Sequence, residues 1–215
     1  MKLTIVYDNV VYEKNKGLKS DWGFSCFIED NKKNILFDTG TKGDILLNNM
    51  SILKKDPKKI DKIVISHEHY DHNGGLKTIL PFVNKIDLFR ISNDNPENKF
   101  NLISVNKPKQ ITDNIFTTGK IDGFVQEQSL IIRGEKGFYV LVGCSHPGIK
   151  NILKTARNIG DIVGIIGGFH GFNDYPILEG LDLICPCHCT QHIQEIKNFY
   201  SDVCIDGGVG KIFDI

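Results

Sequence analysis

The sequence has no excess charge of either sign: lysine and arginine number 26, and aspartate and glutamate number 26, in 215 residues. A general nucleic-acid binder needs a basic surface to neutralise phosphates, so that class is not expected, a local basic patch aside. No uninterrupted apolar run reaches membrane-spanning length, and no membrane association is expected. The opening residues, Met1 to Asp8, read as a strand and lack the apolar region and cleavage site of a signal peptide. A cytoplasmic location is therefore expected, with the six cysteines as thiols rather than disulfides. Repeats and linker-like stretches are also missing, so residues 1–215 are expected to form a single domain, a length within the range of one large α/β domain. Finally, histidine is missing from the first 66 residues.

The most informative stretch begins where that gap ends. Ser66-His67-Glu68-His69-Tyr70-Asp71-His72-Asn73-Gly74-Gly75 places four metal-capable side chains, His67, His69, Asp71 and His72, within six residues. An apolar, β-branched segment, Lys62 to Ile65, precedes it, and a helix-like run, Leu76 to Leu80, comes after. The cluster thus sits where a strand ends and a helix begins, the place where open α/β sheets bind ligands. Two imidazoles at i and i+2 can converge on one metal while Asp71 and His72 turn toward a second position. Such a run can start two sites and close neither, so further ligands must come from elsewhere in the chain.

The remaining chain supplies candidates. Strands are expected at 2–8, 22–29 and 34–38, an opening consistent with antiparallel hairpins. The polar loop Asn9 to Asp21, with Lys14, Lys16 and Lys19, is long enough to border a pocket. Thr41-Lys42-Gly43-Asp44 resembles a capping box ahead of a helix carrying Ile45, Leu46, Met50 and Leu53. A strand over 86–91 and an Asn-, Asp- and Pro-rich loop over 92–100 come next. Short strand-like runs at 101–105, 115–118, 129–133 and 137–143 read as a second antiparallel set. Pro147 suits the first position of a helix with Ile149, Ile152, Leu153, Ala156 and Ile159 on its apolar face. Strands over 161–168 and 181–185, a helix over 191–200 and short strands over 202–206 and 210–214 complete the reading. The expected fold class is α/β, a four-layer αββα sandwich.

Three strand-to-loop junctions share one signature, a buried strand, one or more small residues, then histidine. They deliver His146, His170 and His188. His146 and His188 read as metal ligands, whereas for His170 a ligand, a support for a ligand and a plain loop residue remain open. His192 falls in a helix and reads as a surface or supporting residue. Cys185, Cys187 and Cys189 surround His188 at a spacing of one residue rather than the two to four usual for zinc sites, so buried structural thiols are the expectation.

Together these residues resemble the metallo-β-lactamase superfamily over nearly the whole chain, through Ile35 to Gly40, Ser66 to Leu76, Gly143 to Gly148, Gly167 to His170 and Pro186 to Thr190. The resemblance implies a metallo-β-lactamase-like αββα sandwich with a one- or two-metal site. It implies His67, His69 and His146 at a first metal, Asp71, His72 and His188 at a second, and Asp38 as an acid that steadies the histidine loop. The superfamily usually bridges its metals with an Asp between the third and last histidines; here Gly167-Gly168-Phe169-His170 stands there. Either His170 ligates one metal or the second site is weak.

Within the superfamily the chain is similar to a branch of archaeal 7,8-dihydropterin-6-yl-methyl-4-(β-D-ribofuranosyl)aminobenzene 5'-phosphate synthase-like proteins. The segments are Asp8-Asn9, Gly23-Phe24-Ser25, Thr117-Thr118-Gly119, Glu127-Gln128-Ser129-Leu130, Gly143 to Ile149, Gly167 to His170 and His188-Cys189-Thr190. It departs from that branch at Asp21-Trp22, where an acid-His pair is usual, and at Gln191, where Gly often follows the Thr.

The superfamily resemblance implies a metal-dependent hydrolase that uses a metal-bound hydroxide on a small-molecule ester, amide or phosphoester, with Asp71 and His170 in catalytic roles. The branch resemblance implies the alternative, a dihydropterin-arylamine phosphate transferase with a diphosphate leaving group, for which Trp22, Phe24, Phe169, Phe172 and Tyr175 are candidate stacking surfaces. A non-catalytic metal-binding sensor is a third reading. Zinc, one ion or two, is the expected cofactor, with manganese, iron, nickel or magnesium as alternatives. The expected partner is a small molecule, phosphate-bearing or pterin-like under the transferase reading.

Overall fold

A computed structural model describes residues 1–12, 17–31, 33–83, 86–93 and 100–215. Lys14 and Lys16 of the expected pocket-bordering loop, Lys32 between the expected strands 22–29 and 34–38, and 94–99 of the polar loop lie outside the described residues. The chain forms two compact units, residues 1–105 with 208–214, and residues 106–207 with Ile215. The architecture is α/β, two mixed sheets each with its own helices.

In the first unit, β1 (Lys2–Tyr7), β2 (Ser25–Asp30) and β3 (Lys33–Phe37) form the expected antiparallel hairpins. Helix α1 (Gly43–Ile52) then turns the chain so that β4 (Lys62–Val64) pairs parallel with β3. Short helices α2 (Tyr70–Asn73) and α3 (Leu76–Ile79) lead to β5 (Asp87–Arg90) and β6 (Asn101–Ser104), both parallel additions. The last strand of the chain, Ile212–Asp214, pairs antiparallel with β1. The core between sheet and helices includes Val6, Leu36, Leu46, Met50, Ile63, Leu76 and Ile79. Gly43 begins α1 directly against Thr78 of α3, where a Cβ would come within 2.1 Å.

The second unit has a six-stranded sheet. Its strands are β7 (Lys109–Gln110), β8 (Ile115–Thr117), β9 (Leu130–Arg133), β10 (Phe138–Val142), β11 (Ile162–Gly168) and β12 (Leu183–Cys187). The first four pair antiparallel; β10, β11 and β12 run parallel. Helix α4 (Ile149–Ala156) buries Ile149, Ile152, Leu153 and Ala156 and leaves Lys150 and Lys154 in water, the face its spacing requires. Helix α5 (Ile193–Phe199) buries Ile196 in the same core.

Several local expectations are corrected. The run at 101–105 belongs to the first sheet, parallel to β5, and not to the second antiparallel set. No capping box forms at α1. Its N-cap is Lys42, without a side-chain cap, and the Thr41 hydroxyl donates to the Trp22 carbonyl instead. Helix α4 starts after Gly148, whose φ of +87° ends the preceding turn, so Pro147 lies ahead of the helix. It ends at Ala156, before Ile159. The run at 202–206 is no regular strand but turn and irregular chain, tied to β12 by one bridge, Ile184 to Cys204. No helix of the described residues is long and apolar enough to cross a membrane.

Candidate metal centre

In the first unit the site is built around Asp38. This residue ends β3 at a φ of +56°, a left-handed conformation that Asp tolerates better than most side chains. Its carboxylate is fully buried. Oδ1 accepts from the Ser66 amide at 2.7 Å, and Oδ2 meets both Ser66 Oγ and His72 Nδ1 at 2.7 Å. Ser66 Oγ also lies 2.9 Å from His67 Nδ1.

These contacts assign the protons. Ser66 spends its only hydroxyl proton on Asp38, so its oxygen accepts from His67 Nδ1–H. His67 is then left with a lone pair on Nε2. His72, donating through Nδ1 to Asp38, likewise presents Nε2. One carboxylate thereby sets the tautomer of two imidazoles.

The same geometry shows what these lone pairs suit. His72 Nε2 lies 3.7 Å from Asp71 Oδ2, too far for a hydrogen bond, with an acceptor at each end. His67 Nε2 and His69 Nδ1 are 3.1 Å apart, and the His67 and His72 rings are 4.1 Å apart. Electron-rich donors gathered this closely suit a divalent cation. Glu68, in the middle of the run, is directed elsewhere: it pairs with Arg90 and accepts from Asn73.

The scaffold under this loop is tight. Thr39 donates to the His72 carbonyl through both its amide and its hydroxyl, at 2.7 and 3.0 Å. The Asp71 carbonyl accepts from Phe24 N at 3.2 Å, and a Cβ on Gly23 would lie 2.6 Å from that oxygen. Gly40 faces the Tyr7 ring. The Tyr7 hydroxyl donates to Asp21 at 3.0 Å and accepts from the Lys42 amide at 3.1 Å. Burial, reinforced by the Asp21 carboxylate, pushes the Tyr7 phenol up to about 12.

In the second unit the three histidine-bearing junctions lie side by side at the ends of parallel strands. Ser145, His170 and His188 all have positive φ, at +63°, +46° and +47°. With Asp38, they account for four of the six such non-glycine residues described. That places most of this backbone strain at the strand ends that carry the site, a clustering characteristic of functional sites. The junctions are laced together. Ser145 Oγ donates to the Gly168 carbonyl at 2.7 Å, and Thr190 Oγ1 accepts from Phe169 N at 2.9 Å while donating to Cys187 O at 2.6 Å. Gln191 N donates to the His170 carbonyl.

His188 is buried, His146 half-buried and His170 exposed, with the His146 and His170 rings 4.9 Å apart. A cavity of about 330 Å³ opens beside these two rings, walled by Phe124, Phe169 and Phe172. His192, expected within a helix, stands just before α5 at its N-cap position without a side-chain cap, near Glu195 and outside this cluster.

Three residues to which the sequence alone gives no role stand beside these junctions. Glu127 is buried, and its carboxylate accepts four consecutive backbone amides. Gly143, Cys144 and Ser145 donate to Oε1 at 2.9–3.1 Å, and His146 donates to Oε2 at 2.9 Å. Cys144, two residues before His146, has its Sγ within 4.8 Å of a donor nitrogen of His146 and of His188. Phe124 is 97% exposed at the mouth of the cavity. Of the candidate stacking residues, Phe24 and Phe169 are core residues, and Trp22 is exposed.

The six cysteines are thiols. Cys185 and Cys187 have sulfurs 3.7 Å apart on one face of β12. The Cys189 thiol is held low, at about 6, chiefly by its hydrogen bond with Cys144 and against the effect of burial, with His170 adding to the lowering.

Residues 23–86 match the family model for the metallo-beta-lactamase superfamily. The chain is 30% identical, over 87% of its length and 86% of the relative's, to the 7,8-dihydropterin-6-methyl-4-(beta-D-ribofuranosyl)-aminobenzene-5'-phosphate synthase of Methanocaldococcus jannaschii. The chain belongs to the metallo-β-lactamase superfamily. It is also 28% identical to the uncharacterized protein MJ0448 of the same organism, across 99% of the chain and all of that protein. Among solved structures it is similar to Tm1679, described as a metal-dependent hydrolase of the beta-lactamase superfamily, with a TM-score of 0.80, 25% identity and coverage of 100% and 99% of the two chains. Metallo-β-lactamase superfamily membership implies divalent-metal binding, and the imidazole, carboxylate and thiol donors of the chain fit it.

Proposed function

We propose that this chain is a metal-dependent hydrolase acting on an ester, amide or phosphoester of a small molecule. The observation that carries this reading is the Asp38 relay, in which one buried carboxylate fixes His72 directly and His67 through Ser66. A structural polar loop has no need to dedicate a buried acid to aligning imidazole lone pairs. The superfamily pattern assigns His67, His69 and His146 to one ion and Asp71, His72 and His188 to a second. Zinc is the expected ion, and bound there it would supply Lewis acidity and a water acidified toward a pKa of about 7.

The chain's own groups do the rest. Asp71, half-buried, holds an incoming water by its proton through its carboxylate. His170, exposed beside His146, donates a hydrogen bond to the carbonyl or phosphoryl oxygen as charge builds there. The aromatic wall of the adjacent cavity excludes water from the rest of the substrate.

The test is the His67→Ala, Asp71→Ala double variant, assayed for metal content and for turnover on a panel of esters, lactones and phosphodiesters. The expected outcome is loss of bound metal and of every activity the wild type shows. Full activity in the double variant would sink the reading.

One observation favours a second reading, transfer of a dihydropterin group to an arylamine phosphate: the synthase relative matches most of both chains. The aromatic wall beside His146 would suit a flat ring. Absence of pterin binding at millimolar concentration counts against it.

A further inference from the structure

We propose that Cys144 is a thiolate ligand of the metal centre, and that it makes the centre prefer a thiophilic ion such as zinc or ferrous iron over magnesium or manganese. This rests on the metal-centre reading above and deepens it.

Three features of the second unit lead there. The first is position. Cys144 is buried, and its sulfur lies within 4.8 Å of a donor nitrogen of His146 and of His188, the two histidines that the superfamily pattern assigns to different ions. The second is rigidity. The Cys144 amide donates to Glu127 at 2.9 Å, flanked by the Gly143 and Ser145 amides on the same oxygen, so the Cys144 backbone is held on both sides.

The third is what the neighbouring strand end forbids. No side chain fits at the two glycines that close β11. A Cβ at Gly167 would lie 2.1 Å from the Val142 carbonyl, in backbone with a φ of +125°. A Cβ at Gly168 would lie 2.4 Å from the Gly143 carbonyl and 2.7 Å from Cys189 Sγ. The strand end where the superfamily resemblance expects an anionic bridge therefore carries none here: Gly167 and Gly168 admit no side chain, and the residues that follow, Phe169 and His170, are not acids. With Asp71 the one acid left in the ligand pattern, two cations would be poorly neutralised. Cys144 is the side chain whose sulfur is grouped with both His146 and His188.

Among the described residues no other thiol is grouped with these histidines. Cys185 and Cys187 face each other and pack against Gly207, and Cys189 Sγ approaches the Cys144 carbonyl at 3.9 Å. Ligation by Cys144 forms a metal–sulfur bond and releases the thiol proton to solvent. Thiolate with imidazole is a donor set for zinc and iron, whereas magnesium and manganese prefer oxygen.

The experiment is cobalt(II) loading of the full chain, read by absorption, together with X-ray absorption of the zinc-loaded wild type. The expected result is a near-ultraviolet thiolate-to-cobalt charge-transfer band in the wild type. That band should vanish in Cys144→Ser, with the visible ligand-field bands retained, and persist in Cys189→Ser. Zinc should show a sulfur neighbour at about 2.3 Å, a readout that needs no variant to fold. Zinc affinity should fall at least about 100-fold in Cys144→Ser, more than loss of a mere supporting group causes.

Cobalt bound with ligand-field bands but no charge-transfer band would overturn the assignment while leaving the metal centre intact. So would a band that survives Cys144→Ser and is lost in Cys189→Ser. No cobalt bound by the wild type would overturn the metal-centre reading and this assignment with it.

Discussion

Each unit devotes one buried acid to its histidines, and the two acids work in different ways. Asp38 acts on side chains: it takes one amide, then the Ser66 hydroxyl and the His72 ring, and so sets proton positions on imidazoles. Glu127 acts on backbone: it takes four amides in a row and touches no ring of the His146 junction through any of those bonds. Asp38 therefore controls which nitrogens of His67 and His72 carry the lone pair, and Glu127 controls where the His146 loop sits. In a site built from strand-end loops, tautomer and loop position are separate problems, and this chain solves each with a separate carboxylate.

The largest expected effect breaks the Glu127 side of that comparison. Glu127→Ala would leave four buried amides without their acceptor, and each unsatisfied buried group costs about 1–3 kcal/mol. Even with water entering the gap, the net loss in a urea titration should reach at least about 3 kcal/mol. A loss below about 1 kcal/mol would show that the amides do not depend on the carboxylate.

Asp38→Asn tests the other side. An amide at this position is close in shape but has lost the charge, and one of its two ends is now a donor. The fold should survive, while metal affinity, measured by chelator competition, falls about 10–100-fold, the usual cost of removing a group that orients a ligand. Unchanged affinity would mean that the two imidazoles are oriented by packing alone.

The smallest effect concerns the support beneath Asp38. Tyr7 lies against Gly40 and hydrogen-bonds Asp21, and its phenol is raised from 10.0 to about 12 in the folded chain. The folded-state pKa lies above the unfolded one, so the stabilisation is complete below about pH 10 and is lost as pH rises through about 12. Denaturation measured from about pH 9 to about pH 12, with Tyr7→Phe as reference, should show a steeper decline in the wild type. Parallel curves would remove Tyr7 from the account.

The same contrast explains what was legible in the sequence. The first histidine set is contiguous, so His67, His69, Asp71 and His72 announce themselves, and Asp38 ends a clear apolar strand. His146, His170 and His188 were visible because each comes after a buried strand and small residues. Glu127 was not, because its role depends on amides 16 to 19 residues away, and backbone amides leave no mark on composition. Cys144 was hidden for a related reason. One thiol two residues before a histidine is unremarkable until its sulfur is seen grouped with His146 and His188, beside two glycines that admit no side chain. The placement of β6 in the first sheet was illegible because parallel pairing with β5 is a tertiary choice that a short alternating segment does not encode. At Thr41 the local pattern misled, because the hydroxyl found the Trp22 carbonyl rather than the helix.

The division of labour between the two acids is tested most directly by backbone amide hydrogen exchange at residues 143–146, compared among wild type, Glu127→Gln and Asp38→Asn. The account predicts that Glu127→Gln speeds exchange at these four amides by at least about tenfold, the loss of roughly 1.4 kcal/mol of protection, while Asp38→Asn leaves them as in the wild type. Equal protection in all three proteins, or loss of protection in Asp38→Asn as well, would contradict it.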